Sequence, residues 1–398
     1  MALTPDVYWL ALRQVRGVGP RTCQILLERF KSPQEIFSRD ERELAESGIP
    51  RPTARNIAEF RDFEPLEREL CELPRINAQL VRWTDDDYPP LLRQIADPPP
   101  YLFFRGRLIP DEMRCVAIVG ARTASDAGRH MAHRLGLELA ARGFTVVSGL
   151  ARGIDGQAHQ GALDAGGRTI AVMGCGIDVV YPAEHRVLAE SIIEAGGALL
   201  SELPVGTPPV AENFPGRNRI LSGLCLGAVI VEAAERSGSL ITARTALEQN
   251  RQVFAVPGSP ISGKTRGSNR LLKEGARLVE CVEDVIEELA PQLAEAAKAG
   301  ATPADKIRSQ IGAESSVNKV SAEPIDENPG ITVSNSSKAV FELLQNNHKL
   351  HIDSIIEGSG LNAQTVLRLL LELELKGLVT QHPGKLFSLV SQRQDGRA

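Results

Sequence analysis

Arg217, Asn218 and Arg219 stand together in FPGRNRILSG, residues 214–223, after a Phe-Pro-Gly break and ahead of an apolar run that reads as a helix. Two guanidiniums flanking a carboxamide can make forked hydrogen bonds to phosphate. No nucleophile accompanies them. Glycines recur where the apolar runs end, at almost every end paired with hydroxyl or guanidinium groups: Gly120 to Ser125 (GARTAS), Ser148 to Asp155 (SGLARGID), Gly174-Cys175-Gly176, Ser237-Gly238-Ser239 and Pro257-Gly258. Glycine lets a ligand approach the backbone, and helix N-termini offer free N–H groups at a positive dipole end. Ser125, Ser239 and Thr242 can donate hydroxyls, and Arg122, Arg152, Arg217 and Arg219 can each hold an anion. A row of such groups suits a polymer of phosphates better than one small substrate. The competing reading is ordinary surface ion pairing of the arginines.

Catalytic chemistry is less well represented. No Ser-His-Asp or Cys-His set stands out, so no catalytic residue is assigned. Asp155, Glu202 or Glu232 could act as a general base in a nucleotide-processing hydrolase. Asp155 and His159 lie four apart and share a helix face, but an Asp at a helix start also caps the first turn. His130 and His133 are three apart with no third ligand nearby, so no metal site is assigned. No full G-x-G-x-x-G follows the first apolar run, which disfavours a dinucleotide cofactor. Gly258 to Thr265, GSPISGKT, has the spelling of a Walker A loop. Pro260 lies inside it, the helical pattern resumes only near Asn269, and no Asp ends a following strand. The loop is better read as offering Lys264 and Arg266 to an anion.

The elements that must position these groups follow from periodicity. Residues 1–70 read as short helices, with Gly17-Val18-Gly19-Pro20 before an amphipathic segment in the manner of a helix-hairpin-helix. Residues 71–289 form an extended central domain, and from 115 to about 288 the chain alternates. CVAIVG, FTVVSG, TIAVMGCG, ALLSEL, GAVIVEAA and QVFAVPG are continuous apolar strands separated by helices. That is the signature of a Rossmann-like, doubly wound parallel sheet. The Pro-rich lead-in at 71–114 contributes a short edge strand around Tyr101, Phe103 and Phe104. Residues 290–335 are rich in Ala, Pro, Ser and charge and read as a flexible linker. Residues 336–392 read as a winged helix: three helices and a ribbon turning at Pro383-Gly384. Its third helix, with Glu372 and Glu374 beside Arg368 and Lys376, is poorly suited to a phosphate backbone.

Composition sets the bounds. The 398 residues carry a net charge of −5, so any anion site is a local patch. Ser201 to Arg277 holds ten Lys/Arg against six Glu and no Asp. Nothing approaches the roughly 18 apolar residues of a membrane span. The cysteines, Cys23, Cys71, Cys115, Cys175, Cys225 and Cys281, form no Cys-x-x-Cys pair and point to a reducing cytoplasm.

The runs SGLARGIDGQAHQGAL, TIAVMGCGIDVVYPAEHRVL, LLSELPVGTPPVAENFPGRNRILSGL, VIVEAAERSGSLITARTALEQNRQVFAVPG and GSNRLLKEGA resemble the DprA/Smf family, DNA-processing proteins of natural transformation. The resemblance spans the central region nearly end to end. It implies a cytoplasmic, non-catalytic protein that binds single-stranded DNA, protects it and loads RecA recombinase, with no cofactor, as a homodimer through the Rossmann-like domain. The family's Gly-x-Arg-x-x-Ser turn carries over onto Gly120, Arg122 and Ser125. Its FPxRNR run carries over onto Phe214, Pro215, Arg217, Asn218 and Arg219, and its basic loop onto Lys264 and Arg266. The expected DNA-binding set is completed by Ser148, Gly149, Arg152, Gly153, Ser237, Ser239 and Asn269. On this reading Arg217 and Arg219 grip consecutive phosphates of an extended strand and Asn218 reads a phosphate or base edge. Phe214 either stacks a base or belongs to the core. The winged helix is expected to contact protein or duplex DNA. Two rivals stay open: a nucleotide hydrolase, whose PGGxGT signature is missing, and a pure protein adaptor.

Overall fold

Each of the six apolar runs becomes a strand, and in all but ALLSEL β-branched side chains suit a pleated ribbon covered on both faces. The computed structural model describes residues 3–110, 112–300, 343–344, 350–359, 366, 370, 379–382 and 386–389. The chain divides into two units, Met1–Gln310 and Ile311–Ala398.

The first unit opens with helices α1 (Pro5–Gln14), α2 (Pro20–Phe30), α3 (Pro33–Phe37), α4 (Glu41–Ala45), α5 (Arg51–Ala58) and α6 (Glu64–Glu72). The first three begin on a proline, whose fixed φ suits the first helical position. There follow β1 (Gln79–Arg82), α7 (Pro90–Arg93), β2 (Tyr101–Gly106), β3 (Cys115–Val119), α8 (Asp126–Ala141), β4 (Thr145–Ser148), α9 (Ile154–Asp164), β5 (Thr169–Val172), α10 (Arg186–Glu194) and β6 (Ala198–Ser201). The unit continues with α11 (Asn213–Gly223), β7 (Gly227–Ile230), α12 (Ser239–Glu248), β8 (Gln252–Ala255), α13 (Arg266–Lys273), β9 (Arg277–Leu278) and α14 (Val282–Gly300).

These strands form a nine-stranded sheet in the order β1-β2-β6-β5-β4-β3-β7-β8-β9. From β6 to β9 every pairing is parallel, while β1 and β2 add antiparallel at one side. Alternate strand residues face opposite layers. Val116, Ile118 and Val146 pack with α8, α9 and α14, whereas Ala117, Val119 and Val147 pack with α11 and α12. The N-terminal helices share a core with β2, β6 and α10 through Tyr101, Phe103, Leu199 and Ile192. The architecture is therefore the expected doubly wound α/β sheet behind a helical N-terminal domain.

Three expectations change. β2 is not an edge strand, because β1 pairs outside it, with Gln79 opposite Phe104. FPG is not a break ahead of α11 but its first turn, where a proline is tolerated because its missing N–H would be unpaired anyway. And α14 runs on to Gly300, into the stretch read as linker; 301–335 lies outside the described residues.

Helices α8 and α9 meet backbone to backbone. A Cβ on Gly161 would strike the His133 carbonyl, and one on Gly136 the Ala158 carbonyl. This close approach sets the two helix N-termini side by side at the C-terminal rim of the sheet.

In the second unit a three-stranded sheet, β10 (Leu350–His351), β11 (Val379–His382) and β12 (Leu386–Leu389), runs in the order β10-β12-β11. Its ribbon pairs Val379 with Leu389 and His382 with Leu386, around a helix at Ile352–Ser359 and a core containing Ile355, Val366 and Phe387. This is the ribbon of the expected winged helix. The face carrying Arg368, Glu372, Glu374 and Lys376 lies outside the described residues.

Candidate functional site

The sheet reverses its winding between β3 and β7, and ligands of such sheets bind in the crevice beyond the strand ends at that point. A cavity of about 220 Å³ opens there. The β3 end contributes Gly120 and Arg122, the β4 end Ala151 and Asp155, α11 Arg217 and Asn218, and the start of α12 Ser237, Ser239 and Thr242. A second cavity, about 180 Å³, adjoins it through Arg122 and Ala151, and its far wall is Arg152, Tyr181, Pro182 and Phe214.

Arg122 stands between the two cavities. It is exposed, forms no ion pair among the described residues, and its guanidinium lies 5.1 Å from the Phe214 ring centroid. Phe214 is half-buried, and its ring lies 6.2 Å from that of Tyr181. The arrangement presents an unneutralised cation, a two-ring aromatic wall and a polar recess on one surface. It can take a phosphate and an adjoining planar ring together.

Comparison with known proteins identifies the family. Residues 79–290 match the family described as DNA recombination-mediator protein A. The chain belongs to the DprA/Smf family. Residues 326–385 match the DprA winged helix domain, and 10–61 a SAM-like helix-hairpin-helix tandem. The chain is 36% identical to Protein Smf of Synechocystis over 96% of its length and 98% of that protein. It is 45% identical to DNA processing protein DprA of Streptococcus pneumoniae over 57% of this chain and 78% of that one. The X-ray structure of the Streptococcus pneumoniae protein superposes with a TM-score of 0.62 at 35% identity, across 72% of this chain and 99% of that one.

The DprA/Smf motif FPxRNR is divided by its own helix. Residues two apart on α11 point about 200° apart, so Arg217 and Arg219 leave opposite faces of the helix. Arg217 turns inward and is buried; its Nη1 donates to the Val172 carbonyl at 2.5 Å. Gly149 makes room for it, since a Cβ there would sit on the guanidinium. Arg219 turns the other way and is neutralised: Nη2 meets Glu202 Oε2 at 2.5 Å and Nε meets Asp97 Oδ2 at 3.4 Å. Arg13 of α1 reaches the same Glu202 carboxylate at 4.0 Å, so Arg219 belongs to a tie between the N-terminal helices and α11. The expectation that both arginines grip consecutive phosphates is corrected on these grounds.

Most of the other expected residues have partners within the fold. The Ser148 hydroxyl is fully buried and donates to the Ile118 carbonyl at 2.6 Å. The Gly149 N–H donates to Asp155 Oδ2 at 3.1 Å. Gly153, with φ +76°, packs its Cα against the Ala121 and Arg122 carbonyls. Ser125 caps α8 by accepting from the Gly128 N–H, while its hydroxyl donates to the buried Glu232 at 2.5 Å. Asn269 clamps Gly258 with bonds of 3.0 and 2.8 Å. Arg152 is exposed but doubly bonded to Glu184, at 2.6 and 2.7 Å. The Ser237 and Ser239 hydroxyls bond each other at 2.7 Å and still line the first cavity. Lys264 Nζ donates to the Thr123 carbonyl at 3.0 Å, and Arg266 is exposed at the start of α13. That helix therefore starts directly after Thr265, earlier than the sequence pattern suggested, yet the lysine reaches out to Thr123.

The candidate bases are also engaged. Burial pushes the Asp155 carboxyl up, against the pull of Arg217. Glu202 holds Arg219, and Glu232 accepts from the Ser125 N–H as well as its hydroxyl. His159 bonds Thr169, not Asp155, and His133 Nε2 pairs with Asp164 at 2.7 Å. Tyr181 and Pro182 went unrecognised in the sequence, although an aromatic-proline pair in the loop after Gly174-Cys175-Gly176 was the available signal. Arg217→Ala is expected to destabilise the native fold by about 1.5–3 kcal/mol, since it strips a charged donor from a buried carbonyl. Urea denaturation would measure it, and an unchanged midpoint would show that the buried hydrogen bond is dispensable.

Proposed function

We propose that this protein binds single-stranded DNA across the paired cavities and passes the covered strand to RecA recombinase, without breaking bonds in it. The observation that carries the reading is Arg122: a guanidinium with no ion pair among the described residues, against the Phe214–Tyr181 wall, with Asn218, Ser239 and Thr242 in the recess beside it. A phosphate at Arg122 leaves the neighbouring base within reach of an aromatic face, and stacking tolerates every base because each has a π-face. A duplex, whose bases are already stacked and paired, cannot use that wall. Family membership and the engagement of Asp155, Glu202 and Glu232 in internal bonds support a binding role over hydrolysis. Dimerisation through this unit would use the open β9 edge, where Leu278 is 48% exposed.

A gel-shift series with oligo-dT and a matched duplex tests this. Oligo-dT should be retained at salt concentrations that release the duplex, and affinity should fall linearly on a log–log salt plot. Equal retention of both, or release of nucleoside from monophosphates by the purified chain, would move the assignment to the adaptor or hydrolase reading.

A further inference from the structure

Ile261 has an unusual setting. At 90% exposure it is the most exposed large apolar residue among those described. A single exposed apolar side chain is ordinary on a protein surface, but this one sits on a pinned loop beside the site. Thr265 Oγ1 donates to the Ser259 carbonyl at 2.7 Å, the Ser262 N–H closes a turn onto Ser259 at 3.1 Å, and Asn269 clamps Gly258 from both sides. Pro260 fixes the backbone just before Ile261. Lys264, three residues on, is bonded to Thr123, the neighbour of Arg122. The loop thus holds an apolar tip in water, braced against the turn that carries the free cation of the site.

Resting on the single-strand reading, we propose that Ile261 is an apolar wedge that packs against a base of the bound strand next to the nucleotide whose phosphate sits at Arg122. Base faces are the apolar surface that a cation-bound strand brings to this place, and isoleucine is among the side chains that wedge against or between bases. Lys264 and the exposed Arg266 follow the tip in the chain and add positive charge beside it.

The test uses the full chain with Ile261→Ser and Ile261→Trp. Ile261→Ser should weaken oligo-dT binding about fivefold, as expected for losing one apolar contact, with an unchanged salt slope because no phosphate contact is lost. It should leave binding to an abasic strand of equal length unchanged. Ile261→Trp should gain a fluorescence signal quenched by oligo-dT and not by the abasic strand, beyond any change in the wild type. Wild-type affinity in Ile261→Ser together with an unquenched Ile261→Trp would overturn the wedge while leaving the single-strand reading intact. Failure of the wild type itself to bind oligo-dT would overturn both.

Discussion

Arg122→Ala is expected to weaken oligo-dT binding about 10- to 150-fold at low salt, the range for one charge-assisted hydrogen bond. The same substitution should reduce the log–log salt slope by about 0.7 for each phosphate lost from a single strand. Both effects follow from Arg122 being the exposed guanidinium of the site without an ionic partner among the described residues. Fluorescence anisotropy across a salt series measures them. The thermal midpoint should stay at the wild-type value, because an exposed side chain leaves no cavity and no orphaned carboxylate. Arg219→Ala should behave in the reverse manner: it frees Glu202 and Asp97, lowers stability and leaves the salt slope in place. A slope that responds to Arg219 and not to Arg122 would refute the assignment of the free cation.

The second large effect is on stability at acid pH. His159 is fully buried, its Nδ1 is 2.7 Å from Thr169 Oγ1, and that hydroxyl donates onward to the Val146 carbonyl at 2.7 Å. The hydroxyl proton is therefore committed, Nδ1 must carry the imidazole hydrogen, and Nε2 is left buried with no partner. Burial, reinforced by the nearby His185 and Arg217, pulls the ring from an ordinary 6.5 to about 3. A native value below the unfolded one means that the stabilisation is complete above pH 6.5. It is lost as pH falls, because the unfolded chain takes up a proton that the native chain refuses. The slope from this one group is about 1.4 kcal/mol per pH unit until the native value is reached. Urea denaturation from pH 7 to pH 4 should show it, and His159→Gln should flatten the slope by one proton. Parallel slopes in mutant and wild type would mean that His159 is protonated in the native state.

The sheet was legible because its strands are buried on both faces and so appear as unbroken Val/Ile runs, from CVAIVG through QVFAVPG. β1 was not: QLVR is short, polar at both ends and half-exposed, so it carries no comparable pattern, and β2 was mistaken for the edge it covers. The start of α11 was hidden by Phe-Pro-Gly, which punctuates a chain in most settings but here occupies a helix's first turn.

Which residue types crowd the rim of the sheet, and that phosphate is the chemistry they suit, could be read from the chain alone, since glycine with arginine or hydroxyl groups recurs at one place in almost every βα repeat. Which of those cations is free was decided only by folding. Arg217 is buried because Gly149, far away in the chain, leaves room for it; Arg219 and Arg152 are neutralised by Glu202, Asp97 and Glu184; and Arg122 keeps its charge exposed. The physical reason is that charge belongs to the residue, whereas its availability depends on the carboxylates and side-chain volumes that distant segments bring beside it.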